Sequence, residues 1–324
     1  MESSPRKRFK TTQDWHDFIP SLSKGISGQD LLDLRKGCYR DIEKLRGRPL
    51  LIYATKLTEV PPGAPNFIDI SDVDGFTDLV NSVKDGKSVD VLLHSPGGRP
   101  DATERIVDVL RNRFEEVNFL IPHSAYSAAT MLALSGNEIL LHKSATLGPI
   151  DPQINGIPAR SIKRGFEKAK EKIAKEGPES LPAYIPLIEK YSLDLLELCD
   201  DSERLSKKLV SEWLKEYMFK GQKNMSRRIK QAVDYLSDYD QHLMHSRPLL
   251  LKKLQKFNLN IKLADEPLQE LIWEAYILLN GFFSITPFVK LYETSHGVSW
   301  GKQFQQMKVN FPPIQQIVPA TGVV

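Results

Sequence analysis

Four short stretches of this chain combine residue types that acyl-transfer chemistry uses. His94-Ser95-Pro96-Gly97-Gly98 ends an apolar run with a glycine pair. Glycine accepts positive φ and lets a ligand approach the main chain. Two adjacent N–H groups there suit an oxyanion or a phosphate, although a tight strand-to-helix turn needs the same glycines. Ser124-Ala125-Tyr126-Ser127-Ala128-Ala129 puts Ser127 where a strand ends and a short helix begins. Its small neighbours leave room for a carbonyl at the hydroxyl. The helix start adds partial positive charge and the free N–H of Ala128. The competing role is that of an N-cap, for Ser127 or for Ser124. Asp151, between Pro149 and Pro152, is free to orient a histidine or to serve as a turn residue. Of the seven histidines, His94 and His123 fall beside the glycine turn and the serine, and His245 opens a Ser-Arg-Pro turn.

The elements that must carry these residues are legible as alternating strands and helices. Apolar runs at Leu50–Ala54, Val89–His94, Val117–Ile121 and Ile139–Leu141 read as strands, and their near-continuous hydrophobicity indicates a sheet covered on both faces. Between them Asp72–Val83, with Asp72 as N-cap, Asp101–Arg113 and Ser127–Leu134 have helical character. Gln29–Leu45 precedes them as an amphipathic helix ended by Gly47 and Pro49. This alternation predicts a mainly parallel α/β sheet. The Pro/Gly loop Glu59–Pro65 reads as a connection. From Ser161 onward the texture is helical: Ser161–Lys175, Ala183–Tyr217 with a break near Asp200-Asp201, Ser226–Leu236, Arg247–Phe257 and Pro267–Leu279. Ile314–Val324 has no clear period. The expected organisation is a basic, flexible tail over 1–25, an α/β core over 26–158, and a helical region over 159–324 that packs on the core or on a neighbouring subunit.

Composition narrows the classes. With 41% hydrophobic and 26% charged residues the chain is of ordinary globular make-up. A net charge of +3 does not call for a nucleic-acid partner. Cys38 and Cys199 are far apart and in no ligand spacing, which argues against a disulfide framework and a structural zinc and fits the cytoplasm. The basic start, MESSPRKRFK, leads into no apolar segment of a secretory signal. Leu271–Val289 contains Glu274, Asn280, Gly281 and Pro287, so it reads as a buried helix rather than a membrane span.

Taken together, HSPGG, SAYSAATMLAL, LGPIDPQI and MHSRPL resemble the serine dehydrogenase proteinase family, relatives of the Clp protease proteolytic subunit and of signal peptide peptidase A. The resemblance implies a ClpP/crotonase-like spiral of ββα units with a parallel sheet, followed by a mostly helical C-terminal half. It further implies hydrolysis of protein or peptide substrates, without a cofactor or metal, in a homo-oligomer. Carried over residue by residue, Ser127 is the nucleophile, His245 the base and Asp151 its orienting acid, with the N–H groups of Gly98 and Ala128 as oxyanion hole. Ala129 stands where the family has glycine, and Ser246-Arg247 where it has Asp-Tyr. Three alternatives remain at this level. One is a Ser-Lys dyad with Lys168 as base, set among Lys163, Lys170, Lys172 and Lys175 on what reads as a solvated face. Another is a crotonase-type acyl-CoA enzyme with glutamates as acid and base. The last is a non-catalytic peptide-binding or scaffold protein.

Overall fold

The computed structural model describes residues 6–23, 25–189 and 192–305; the segment 314–324 lies outside them. Two capping boxes open the described chain. Thr11 and Ser27 accept from the backbone of Asp14 and Asp30, whose carboxylates reach back, and so start α1 (Thr12–Leu22) and α2 (Gly28–Arg46). Gly47, left-handed at φ 65°, ends α2. Then come β1 (Leu50–Thr55), α3 (Asp72–Ser82), β2 (Ser88–His94), α4 (Pro100–Arg113), β3 (Glu116–Ile121), β4 (Ser124–Ala125), α5 (Ala128–Leu134), β5 (Glu138–Leu141) and β6 (Thr146–Leu147). A small hairpin, β7 (Gln153–Ile154) and β8 (Ile157–Pro158), leads to α6 (Ala159–Glu176), α7 (Leu181–Ile188), α8 (Leu193–Trp213), α9 (Ser226–Ser237), α10 (Tyr239–His242) and α11 (Leu251–Leu254). The chain returns to the sheet with β9 (Ile261–Leu263), α12 (Glu266–Ile285), β10 (Phe288–Thr294) and β11 (Ser299–Gln303).

The main sheet has the order β11-β10-β1-β2-β3-β5-β9. β1, β2, β3, β5 and β9 run parallel, and β10 and β11 are antiparallel at one edge. A second, short layer forms beside it. β4 pairs in parallel with β6, and Ser95, just past β2, bridges Ala125 of β4. Each turn of the chain thus gives one strand to each layer before its helix, which is the expected spiral of β–β–α units. Side chains alternate between two cores. Leu51, Tyr53, Val91, Leu93 and Phe119 pack with α3, α4, α5, α8 and α9, while Leu50, Ile52, Leu92 and Leu120 pack with α1, α2 and α12.

Several expectations need correction. The basic start is no solvated tail from Arg6 onward: Phe9, Trp15 and Phe18 are buried, and Arg6 and Arg8 pair with Glu274 of α12. Burying a phenylalanine side chain is worth roughly 1.5–3 kcal/mol, which is ample reason for this segment to dock. The C-terminal half is not only helical, since it completes the sheet with β9, β10 and β11; no boundary at 158 separates the two parts. α8 runs unbroken through Asp200-Asp201, and of Arg247–Phe257 only Leu251–Leu254 is α-helical, with one 3₁₀ turn after it. Asp72 does not cap α3; Ser71 holds the cap position without a capping bond, and Asp72 is buried in an ion pair. Of Leu271–Val289, expected as one buried helix, the stretch to Ile285 is helical and mostly buried as far as Phe283, and Phe288 already belongs to β10; among the described residues no helix is long and apolar enough to cross a membrane.

Charges are buried on the α2–β10 side. Arg35 on α2 makes a bidentate bond to Glu293 on β10 at 2.7 and 2.9 Å, and Tyr39 donates to the same carboxylate at 2.7 Å. Burial alone would push Glu293 up, but the Arg35 charge and the hydrogen bonds from Arg35, Tyr39 and Ser299 hold it below its ordinary value. A group depressed in this way adds stability above its unfolded-state value and loses it as pH falls through the folded one. Arg35→Met strands the buried carboxylate and is expected to cost about 3–5 kcal/mol at pH 7. The deficit relative to wild type shrinks as pH is lowered toward about 4, because burial without Arg35 raises the Glu293 carboxyl above its ordinary value and favours its protonated form. Urea titrations at the two pH values check both statements.

Candidate active site

Ser127 occupies the turn between β4 and α5 with φ 53° and ψ −124°. A non-glycine residue there costs about 1–3 kcal/mol and persists only where its surroundings fix it. The fixing bonds are on both sides. Ser95 N–H donates to Ser124 O at 3.0 Å, and Tyr126 N–H to Ser95 O at 3.1 Å. After the turn, Ala129 N–H donates to Tyr126 O at 2.9 Å and Met131 N–H to Ser127 O at 3.1 Å, while the Thr130 hydroxyl donates to Ala125 O at 2.7 Å. Ser127 makes no side-chain capping bond, so the capping role is excluded. Ser124 does not cap either; its hydroxyl pairs with His123 Nδ1 at 2.6 Å. A sharp strand-to-helix turn of this kind lifts a hydroxyl clear of the backbone.

The glycine pair faces the same turn. Gly97 has φ 96°, and a Cβ built on it would lie 2.3 Å from Tyr126 O and 2.7 Å from Ser127 Cβ. Gly98 lies against Ile68: Ile68 N–H donates to Gly97 O at 2.7 Å and Arg99 N–H to Ile68 O at 2.8 Å. In this parallel bridge Gly98 turns its own N–H away from Ile68. Neither Gly98 N–H nor Ala128 N–H donates to another described group.

Asp151 arrives by the chain after β6. Gly148 is drawn in by Ala125 O and the Thr130 hydroxyl, and Ile150 N–H donates to Leu236 O at 2.9 Å. His245 comes from the opposite end of the helical insertion. Leu249 N–H donates to Leu147 O at 2.8 Å, Leu243 is left-handed at φ 63°, and Arg247 caps the loop by donating to Gln241 O and His242 O. This brings His245 Nδ1 to 3.0 Å from Asp151 Oδ1. The pair is at contact distance but not aligned as a hydrogen bond, and both buried carboxylate oxygens of Asp151 have no other partner.

Ser127, Gly98, Ala128, Asp151 and His245 all line one cavity of about 710 Å³. Sequence reasoning missed Phe67, Met131 and Ile150, which form part of its apolar wall, and Ser202 and Ser206, which α8 presents to it. Met131 lies one helical turn after Ser127, so its place could have been read; the others arrive through non-local packing. No glutamate, the acid and base of the crotonase alternative, is among the described lining residues. Lys168 is exposed on α6 and does not line the cavity. His94 and His123 face the other side of the sheet, where Tyr276 of α12 stacks on His123 and meets His94 edge-on. Burial pushes His94 down to about 3. Among the described residues no cluster of His, Cys, Asp and Glu is placed to hold a metal ion.

A hydroxyl, an imidazole, a buried carboxylate and two free N–H groups around one cavity form the set that nucleophilic acyl transfer uses. Residues 20–181 match the ClpP-like SDH-type serine proteinases. The chain belongs to that family. Two uncharacterized proteins of Methanocaldococcus jannaschii are similar to this chain. One is 29% identical over 193 residues, 56% of this chain and 66% of its own length. The other is 33% identical over 102 residues, 32% of this chain and 36% of its own. The chain therefore spans less than two thirds of either relative. Among solved structures, a point mutant of ClpP1 from Listeria monocytogenes aligns with a TM-score of 0.36 and 13% identity, over 70% of this chain and 98% of that one.

The tight contact at Gly97 can be tested against an internal control. Gly86 has the same φ of 96°, but its Cβ position meets only Ser88 O, at an ordinary 4.0 Å. Gly86→Ala is expected to lose only about 1–2 kcal/mol of stability to backbone strain. Gly97→Ala must also displace the Ser127 turn, and inactivation by a fluorophosphonate probe is expected to slow by roughly 100-fold. Equal probe reactivity in the two variants would mean that the close approach is immaterial.

Proposed function

We propose that this protein is a serine endopeptidase that cleaves peptide bonds with Ser127 as nucleophile, His245 as general base and Asp151 as its orienting acid. The observation that carries this reading is the meeting, around one cavity, of a strained and uncapped Ser127 with the otherwise partnerless Asp151–His245 pair. Ser127 Oγ attacks the carbonyl carbon of the scissile bond, and its proton passes to His245 Nε2. Negative charge gathers on the carbonyl oxygen, where the N–H groups of Gly98 and Ala128 receive it; one such donor is typically worth about 3 kcal/mol. Collapse of the intermediate breaks the C–N bond as His245 returns the proton to the leaving amine. Water then repeats the sequence on the acyl-serine and frees Ser127. A small turn of the His245 ring aligns its Nδ1–H with Asp151, and such catalytic hydrogen bonds commonly tighten on substrate binding.

The apolar wall at Phe67, Met131 and Ile150 supports an extended peptide with a hydrophobic side chain next to the cleaved bond. Buried free thiols at Cys38 and Cys199 fit a cytoplasmic setting. Exposed Ile157, Leu181, Ile185 and Leu198 support self-association of the kind expected for the family. Light scattering is expected to give a mass that is a multiple of 36.8 kDa; a monomer at micromolar concentration would end the oligomer proposal.

Ser127→Ala and His245→Ala are each expected to lower hydrolysis of fluorescein-labelled casein by about 10⁴-fold or more, with folding retained. Fluorophosphonate labelling is expected at Ser127 and nowhere in Ser127→Ala. Lys168→Ala is expected to keep wild-type activity, and a loss there would restore the Ser-Lys dyad. Absence of labelling at Ser127, together with retained casein binding, would favour the non-catalytic peptide-binding reading.

A further inference from the structure

The connection between β1 and α3 holds Ile68, whose backbone clamps the glycine pair from behind. Directly after Ile68 the chain turns on two carboxylates. Asp69 N–H donates to Asp72 Oδ2 at 2.8 Å, and Asp72 N–H donates back to Asp69 O at 2.9 Å. Both acids receive the same ammonium. Lys290 Nζ on β10 lies 2.9 Å from Asp69 Oδ2 and 2.8 and 2.9 Å from the two oxygens of Asp72. Lys290 and Asp72 are each 0% exposed. Asp72 also accepts from Tyr53 of β1 at 3.0 Å and from Tyr292 of β10, while Lys302 of β11 reaches it at 3.3 Å. Four groups from three strands therefore converge on one side chain at the root of the connection.

Burying an ion pair is no route to stability as such, because well-packed apolar residues of equal volume often do as well or better. What this pair does is fix a position. Ile68 donates to Gly97 O and accepts from Arg99 N–H, so it sets the two peptide planes that flank Gly98. Any drift of Ile68 rotates the Gly98 N–H relative to the cavity. Phe67, the residue before it, is a cavity wall and lies with its ring centroid 5.9 Å from Lys290 Nζ.

We infer that the buried Lys290–Asp72 pair, with Asp69, is a positioning element for the oxyanion-binding backbone, acting through Ile68 on Gly98. The inference rests on the peptidase reading given above. It separates catalytic geometry from simple stability: the pair is needed to aim an N–H group at the developing charge, not to hold the sheet together.

The test uses the full chain and a charge-neutral double variant, Lys290→Met with Asp72→Asn, so that no lone charge is left buried. Asp69→Asn is the milder companion for the case in which the double variant does not fold. Inactivation by a fluorophosphonate is resolved into its maximal rate, kinact, and its half-saturating concentration, KI. Amide hydrogen exchange is read at Ile68 and Arg99. In the double variant kinact is expected to fall by roughly 10- to 100-fold, as for a donor that is misplaced rather than lost, with KI within about twofold of wild type. Exchange at Ile68 and Arg99 accelerates while β3 stays protected. Asp69→Asn shifts both readouts in the same direction. Arg35→Met, which breaks a comparably buried pair away from the cavity, lowers stability with kinact unchanged. A folded double variant, or failing that Asp69→Asn, with wild-type kinact and exchange overturns the inference alone. If wild-type Ser127 does not react with the probe, the peptidase reading falls and the catalytic role of the pair with it; exchange at Ile68 and Arg99 then still decides whether the clamp exists.

Discussion

The architecture depends on one close contact: the main chain at Gly97 against the main chain at Ser127, with no space between them for a single carbon. Two strand ends from neighbouring turns of the spiral meet there. The bond from Tyr126 N–H to Ser95 O and the bridge from Ser95 to Ala125 bring them into register. A methyl group at position 97 would separate them. The separation would release the left-handed turn at Ser127 and part the Gly98 and Ala128 N–H groups, because both features are consequences of the same approach. Strain at Ser127 and permissiveness at Gly97 are thus two sides of one packing problem.

The second short layer of strands makes the contact possible. A doubly covered parallel sheet alone ends its strands in loops that diverge toward their helices. Here the chain beyond β2, β3 and β5 pairs again at Ser95, β4 and β6, and carries the geometry of the sheet outward to the cavity. Gly148 continues that ladder, and its lack of a side chain leaves the space that Tyr126 occupies. The tyrosine is pinned at its far end by the Thr146 hydroxyl at 2.9 Å. Tyr126 is therefore accommodated by the second layer without disturbing the turn at Ser127.

Much of this was legible because it is local. The strand-to-glycine and strand-to-helix turns leave period and composition signals within a few residues, so β2, β3, α4, α5 and Ser127 could be placed from the chain alone. What escaped has a common cause in distance along the chain. Arg6 and Arg8 look like a solvated basic cluster until Glu274, more than 260 residues away, is seen to be buried beneath them. Asp72 looks like a helix N-cap and Lys290 falls in a stretch assigned to no element, and only their meeting removes both from water. β9 falls in the short gap between two stretches of helical texture; Leu259-Asn260-Ile261-Lys262-Leu263 alternates apolar and polar, but only three of these residues join the sheet. The edge strands β10 and β11 likewise declare themselves only by pairing with β1 and with each other.

The placement of His245 follows from electrostatics as much as from backbone pairing. Asp151 is 2% exposed, and no backbone N–H or hydroxyl satisfies its carboxylate. A buried anion in that state is costly unless a donor or a cation comes to it, and the imidazole 3.0 Å away is the group that does. The bridge between Leu147 and Leu249 fixes the separation of the two loops, so the acid and the histidine move as one unit despite the long helical insertion between them. Under the proposed mechanism this incompleteness is useful. The carboxylate gains its full interaction only when His245 takes the Ser127 proton and becomes positive, so its stabilising effect is concentrated on the charged intermediate and largely absent from the resting site. An interaction that strengthens along the reaction coordinate lowers the barrier, whereas one already satisfied at rest would not.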